Sequence, residues 1–416
     1  MVSWKTKCEW YTGYSADSVE WCPIEPFQNV LVCGTYQLEK TEDKKQTRLG
    51  KIYLFVINED TTKLNPIQTI ETPGILDQKW CYHLIKDHPV LAVVTSIGTL
   101  QLYQLSTENA TYSLKQWIEH VIGQDILALS LDWSTNRTVE NEPRLLVSDS
   151  QGTVTLLKIA GDKIVQEGNW KSHKFEAWIA AFNYWNPDIF YSGGDDCLFK
   201  SYDARVADGV VATNKSHDAG VTAIRSHLEV EHHLLTGSYD EKIRRWDARN
   251  LKTSIAETPV GGGVWRIKHH PKNQDSVLTA CMYGGFRLLR GDTVVAEYNV
   301  HESIAYGADW SHGHGLIATC SFYDCKMHVS EVLDGNNRKI IIYLFIFSLF
   351  RPTAGQRPPS PPSTVPCLVS AGSSPYNASP TRPAISFWVC RGGAVRGGFC
   401  PHVIGHAADM SSPERL

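Results

Sequence analysis

The chain repeats itself. Residues 236–247 read TGSYDEKIRRWD, residues 192–203 read SGGDDCLFKSYD, and a third copy from Cys320 reads CSFYDCKMHV. Each copy opens on small residues, turns at an Asp and continues as a strand-like run. Ser192, Thr236 and Thr279 occupy equivalent points, at steps of 44 and 43 residues. A unit of that length is one small antiparallel sheet, which cannot bury its faces alone. Neighbouring copies must therefore stack, and self-similarity at this period is the mark of a WD-repeat β-propeller.

Seven units can be laid out. The ends of their first strands align on Trp21, Trp80, Trp133, Phe182, Ser226, His269 and Trp310. Third strands alternate apolar and polar residues, as in GTLQLYQL from Gly98 and GTVTLLKI from Gly152. The reading is all-β, a seven-bladed propeller over residues 1–332. Residues 5–11 are expected to close the ring as the outer strand of blade seven. Ser330 stands where the blade pattern wants a Trp, so blade seven is expected to pack weakly. A charged stretch, EKTEDKKQTR from Glu39, is expected to be a solvated loop.

Beyond residue 332 the pattern stops. Eleven of the 20 prolines follow Phe350, and residues 333–416 read as a low-complexity tail, disordered or a splice-variant segment. Its apolar run, residues 340–350, is shorter than the roughly 17–25 residues a membrane span needs. No membrane anchor is expected. A net charge of −4 carries no polybasic signature, so nucleic acid is not an expected partner. The 11 cysteines include no CxxC pair. That scatter, with no apolar leader at the start, suits reduced thiols in the cytoplasm. No metal site and no cofactor motif is read from the spacing.

His173, Ser192, Asp196 and Tyr202 form a spaced set, repeated by His217, Thr236, Asp240 and Trp246. His301, Cys320 and Asp324 repeat most of it, and the His-to-small-residue gap is 19 each time. A nucleophile, an imidazole and a carboxylate invite a catalytic reading. A catalytic set is needed once, however, and this one recurs, so it reads as buried hydrogen bonding that stiffens each blade.

The channel mouth is the candidate site. Four residues before each first-strand end lie Asp17, Leu76, Leu129, Trp178, Thr222, Trp265 and Tyr306. The turns after the second strands add Asp195, Tyr239 and Tyr323. Rings with carboxylates beside them suit a quaternary ammonium group by cation–π attraction, although rings can also simply plug a channel. Glu176 and Arg266 stand next to this set.

Several runs carry a family resemblance. They are HKFEAWIAAFNYW from His173, YSGGDD from Tyr191, TGSYDE from Thr236, GGGVWRIKHHP from Gly261, YGADWS from Tyr306 and CSFYD from Cys320. With ADSVEWCP, CGTYQL and LALSLDWS in the first blades, the chain resembles the diphthine methyl ester hydrolases of diphthamide biosynthesis over residues 15–329. The resemblance implies an ester hydrolase whose substrate is a modified histidine of elongation factor 2, with diphthine and methanol as products. The mouth residues Trp178, Trp265, Tyr306, Tyr239, Tyr323 and Arg266, chosen by their position, are the expected substrate-binding set. Asp17, Glu176 and Asp195 are the candidates to activate water. The competing reading is a scaffold. Trp246-Asp-Ala-Arg249 and Tyr202-Asp-Ala-Arg205 resemble the WDxR pattern of cullin-4 ligase substrate receptors.

Overall fold

The computed structural model describes residues 2–39, 46–109, 111–206 and 209–333. The chain divides at Ile342 into Met1–Ile342 and Tyr343–Leu416. The expected tail, residues 333–416, lies outside the described residues from residue 334 onward, as do residues 40–45 of the charged stretch.

The described residues form seven four-stranded antiparallel sheets. Their inner strands are Ser15–Trp21, Ile75–Trp80, Ala128–Trp133, Ala177–Phe182, Val221–Ser226, Arg266–His270 and Ala305–Trp310. Each inner strand contacts the next, and the last contacts the first, so the ring is closed. These strands are buried almost throughout, so both faces of each must be filled. The apolar side chains on them lie between blades, as in the cluster of Trp21, Leu31, Phe55, Leu316 and Met327. Long hairpins extend the first blade outward, with Glu39 opposite Thr47. Arg48 Nε donates to Tyr36 Oη at 2.9 Å, so part of the expected loop is ordered strand.

Indoles staple blade to blade. Trp80 Nε1 donates to the Glu20 carbonyl at 3.2 Å, Trp133 Nε1 to Lys79 at 3.0 Å and Trp310 Nε1 to Lys268 at 3.1 Å. Each reaches the carbonyl of the residue before the aligned strand end of a neighbouring blade. The column of aromatics thus has a mechanical meaning, since a buried indole N–H needs an acceptor.

Blade seven is completed from the N-terminus, as expected. Ser3–Tyr11 pairs antiparallel with Lys326–Leu333. Weak packing at Ser330 is not what the structure shows. Trp4 on the closing strand donates its Nε1 to Ser330 Oγ at 2.7 Å and stacks on Tyr298 at 5.0 Å. The indole missing from the blade's own strand arrives on the strand beside it.

The repeated polar sets are structural. His173 Nδ1 meets Asp196 Oδ1 at 2.8 Å, its Nε2 meets Ser192 Oγ at 2.6 Å, and Ser192 meets Tyr202 Oη at 2.7 Å. In the next blade Trp246 Nε1 donates to Thr236 Oγ1 at 2.8 Å. There Arg244 inserts between the His217 ring, at 2.8 Å, and Asp240, at 2.6 Å. Blade seven departs from the expected set. His301 Nε2 bonds Thr319 Oγ1 at 2.9 Å, and Ser321 links the His301 ring to Asp324. Cys320 points instead into the core between blades. The connection from Trp310 to Leu316 is one residue shorter than those from Phe182 to Ile189 and Ser226 to His233. Thr319 therefore takes the place of Ser192 and Thr236.

Candidate functional site at the channel mouth

Inner strands begin with a break in register. It falls at Asp17, Leu76, Leu129, Trp178 and Thr222 in five blades and at Tyr306 with Gly307 in another. In blade six Trp265 stands just before its inner strand, with its amide bonded to the Ala280 carbonyl. These are the rim positions expected from the sequence. A bulge bends the strand and re-aims one side chain, so the spacing marks the residues aimed away from the blade faces.

The aromatic members meet. Trp178 and Trp265 contact edge to face at 5.7 Å, and Trp265 stacks on Tyr306 at 4.6 Å. Tyr239 lies between them, stacked on Trp265 at 6.1 Å and edge-on to Trp178 at 6.3 Å. The row continues through Phe322, 5.0 Å from Tyr306 and 5.2 Å from Tyr323. Tyr36 of blade one ends it, 6.1 Å from Phe322. Phe322 and Tyr36 were not expected from the sequence. Phe322 sits one residue before Tyr323 in the same turn, so the turn rule pointed at its neighbour.

The rings are packed more tightly than an open cage. Trp178, Trp265 and Tyr306 are 9%, 8% and 5% exposed, whereas Tyr323 is 42% exposed and Tyr239 half-buried. Gly220 leaves room beside Tyr239 and Asp195, since a Cβ there would lie 3.1 Å and 3.0 Å from them.

The carboxylates divide. Asp195 Oδ1 accepts from Trp178 Nε1 at 3.0 Å, and the Asp195 amide donates to the Glu176 carbonyl at 2.9 Å. Both residues therefore belong to the blade-four edge of the mouth, Glu176 with its side chain half-buried. Asp17 is buried, and its Oδ1 has no hydrogen-bond partner among the described residues. Burial pushes its carboxyl well above the ordinary range, Arg266 draws it back, and Asp77 pushes it up again.

Arg266 links the mouth to the channel. Its guanidinium carbon lies 5.7 Å from the Trp265 ring, and its NH2 nitrogen reaches Asp77 Oδ1 and the Leu76 carbonyl, both at 3.3 Å. Deeper in stands a ring of charge that sequence reasoning did not find: Glu20, Lys79, Asp132, Arg225, Lys268 and Asp309. Each lies three residues after a rim position, and that offset was the available signal. Lys268 pairs with Glu20 and, at 3.4 Å, with Asp309. Arg225 donates to Tyr184 Oη at 2.7 Å. Burial raises Glu20 to about 7 against the pull of Lys268. A cavity of about 30 Å³ lies between Lys79, Asp132, Arg225, Arg266 and Lys268 on one hand and apolar side chains such as Ile179, Ile224 and Ile267 on the other. That is room for about two waters at 10–15 Å³ each.

No group of three or more metal-ligating side chains occurs among the described residues, and no described helix is long and apolar enough to cross a membrane. The two WDxR-type arginines fold back on their own turns. Arg249 and Arg205 each grip the Asp two residues earlier, at 2.6 Å and 2.8 Å.

A closed seven-bladed WD-repeat propeller with an aromatic arc at one mouth is the class that fold and site define. In overall shape it is similar to a chain of a mitotic checkpoint complex structure, with a TM-score of 0.60 at 15% identity over 79% of this chain and 92% of that one. No family model matches the sequence. Diphthine methyltransferase of Homo sapiens is 40% identical over 331 residues, covering 72% of this chain and 73% of that protein. The Mus musculus protein of the same name is 41% identical over 72% of this chain and 68% of its own length. The Dictyostelium discoideum homologue is 39% identical over 76% and 95%. The chain belongs to the diphthine methyltransferase family. That membership favours the enzyme over the ligase receptor.

Proposed function

We propose that the chain hydrolyses the methyl ester of diphthine methyl ester on elongation factor 2, giving diphthine and methanol. The family places it in diphthamide biosynthesis. The relatives' name speaks of methyl transfer on diphthine, and in this reading water takes the acyl group while the methyl group leaves as methanol. The observation that carries the reading is the contiguous arc of Trp178, Tyr239, Trp265 and Tyr306 at bulged rim positions. Indole and phenol faces attract a trimethylammonium group by about 0.5–2 kcal/mol each, more as water is excluded. The cation first meets the more exposed rings, Tyr239 and Tyr323, and its full entry parts the edge contact between Trp178 and Trp265. Asp195 orients the Trp178 indole from behind. Eight described cysteines are free thiols, in keeping with a cytoplasmic location.

The test is direct. Full-length protein incubated with elongation factor 2 bearing the ester releases methanol in proportion to the ester lost, and the product gains one carboxylate by mass. Unchanged ester under conditions where the two proteins bind would reject the hydrolase.

A further inference from the structure

Three carboxylates stand near the mouth, and their surroundings separate them. Asp195 is committed to the Trp178 indole. Glu176 is half-buried at the edge, where water competes for its charge. Asp17 alone is a rim-position carboxylate aimed by a bulge, 2% exposed, with an oxygen that has no partner among the described residues. Unsatisfied buried oxygens are rare, because each costs about 1–3 kcal/mol. Bound water or a ligand completes such an atom. Tyr306 on blade seven and Arg266 on blade six, two of the groups proposed to hold the substrate, lie within electrostatic reach of Asp17.

Resting on the hydrolase reading, we propose that Asp17 is the proton-transfer residue of the reaction and that Arg266 holds the ester carbonyl oxygen. Water gives a proton to the Asp17 carboxylate as its oxygen bonds to the ester carbonyl carbon. The carbonyl π pair moves onto oxygen, and the Arg266 guanidinium carries that charge. The intermediate collapses, the bond from carbon to methoxy oxygen breaks, and Asp17 returns its proton to the leaving oxygen as methanol. The new carboxylic acid ionises to solvent, and its carboxylate pairs with Arg266. The cavity that Arg266 helps to line has room for the water consumed. The carboxyl is also tuned for the task. Burial lifts it well above the usual range, and Arg266, Asp77, Tyr306, Tyr36, Cys33 and Cys320 lie within electrostatic reach of it. A carboxylate whose proton affinity is raised takes a proton more effectively than an ordinary one.

The experiment compares wild type, Asp17→Asn and Arg266→Lys with elongation factor 2 bearing the ester as substrate, following kcat and KM against pH. Proton transfer of this kind contributes about 10²–10⁴-fold, so Asp17→Asn should lose at least about 100-fold in kcat with little change in KM. A base works ionised, so wild-type kcat should climb with rising pH, and that limb should vanish in Asp17→Asn. Arg266→Lys keeps the charge but not the planar fork, and should lose kcat while retaining the rising limb. Asp17→Asn with wild-type kcat and pH profile would overturn the assignment and leave the hydrolase standing. A wild-type protein that releases no methanol removes both. If Asp17→Asn melts early, the wild-type profile still decides: a rate independent of pH between about 5 and 8 excludes a raised carboxyl as the base.

Discussion

A single ring at the mouth carries two separable properties, its bulk and its quadrupole. Trp178 offers both, with its N–H anchored on Asp195 and its edge against Trp265. Trp178→Leu keeps much of the bulk and removes the charged face. It should weaken binding of elongation factor 2 carrying the trimethylammonium group by about 3- to 30-fold, the equivalent of roughly 0.5–2 kcal/mol, and leave kcat nearly unchanged. Isothermal titration with the unesterified product reads this without catalysis, and wild-type affinity would remove the ring from recognition. Asp195→Ala should act more mildly in the same direction, because it frees the indole without deleting it. Trp4 is the contrasting case, a ring with a purely structural task. It is half-buried, stacked on Tyr298 and bonded to Ser330. Trp4→Ala should cost about 2–3 kcal/mol in urea unfolding, below the 3–5 kcal/mol of a fully buried indole.

At the scale of the blade, strand, turn and repeat were legible because each follows from local chemistry. Alternation gave the strands, small residues gave the turns, and the period gave the seven sheets. The rim positions were legible too, since a bulge at a fixed distance from an aligned strand end re-aims one residue. What could not be read was the partner across a blade. The spacing of 19 chose Cys320, and a connection shorter by one residue gave the place to Thr319. A one-residue slip turns a side chain to the other face, so counting alone cannot settle which of two neighbours bonds the His. The Arg244 inserted into blade five was equally hidden, because its neighbours in sequence say nothing of the depth at which it lies. Burial raises Asp240, and the Arg244 guanidinium bonded to it, with the His217 ring beyond, overcomes that and holds it far below the usual carboxylate range. The folded state therefore binds its proton later than the unfolded chain. The resulting stability is complete above the unfolded value of about 4 and is lost as pH falls further. Asp240→Asn should destabilise the protein at pH 7 and lose much less on going to pH 3. Equal losses in mutant and wild type, measured by denaturant unfolding, would contradict this.

The whole ring responds to acid in a wider window through its imidazoles. Burial pushes His269 down to about 3, His270 and His312 to about 4, and His301 to about 2. All four stay neutral in the folded protein at pH values where an unfolded imidazole, near 6.5, is already charged. Between about pH 4 and 6.5 the unfolded chain therefore binds more protons, and stability must fall as pH falls. Four carboxyls oppose this. Glu20, raised to about 7 chiefly by burial, and Asp17, Asp132 and Asp149, also raised by burial, hold protons more tightly in the folded state than in the unfolded chain. Burial also lowers His83, His120, His217, His227 and His328, so nine imidazoles against four carboxyls leave a net uptake of protons on unfolding. Unfolding free energy from urea titrations should therefore decline from pH 6.5 to pH 4.5, at about 1.4 kcal/mol per pH unit for each net proton taken up. Replacing His270 and His312 together by Gln should make that slope shallower. His270 packs on Trp310 at 4.7 Å and His312 on Tyr82 at 5.9 Å, so the pair reports on the inner core of the ring. A wild-type slope of the opposite sign would mean that the raised carboxyls outweigh the imidazoles and set the acid response.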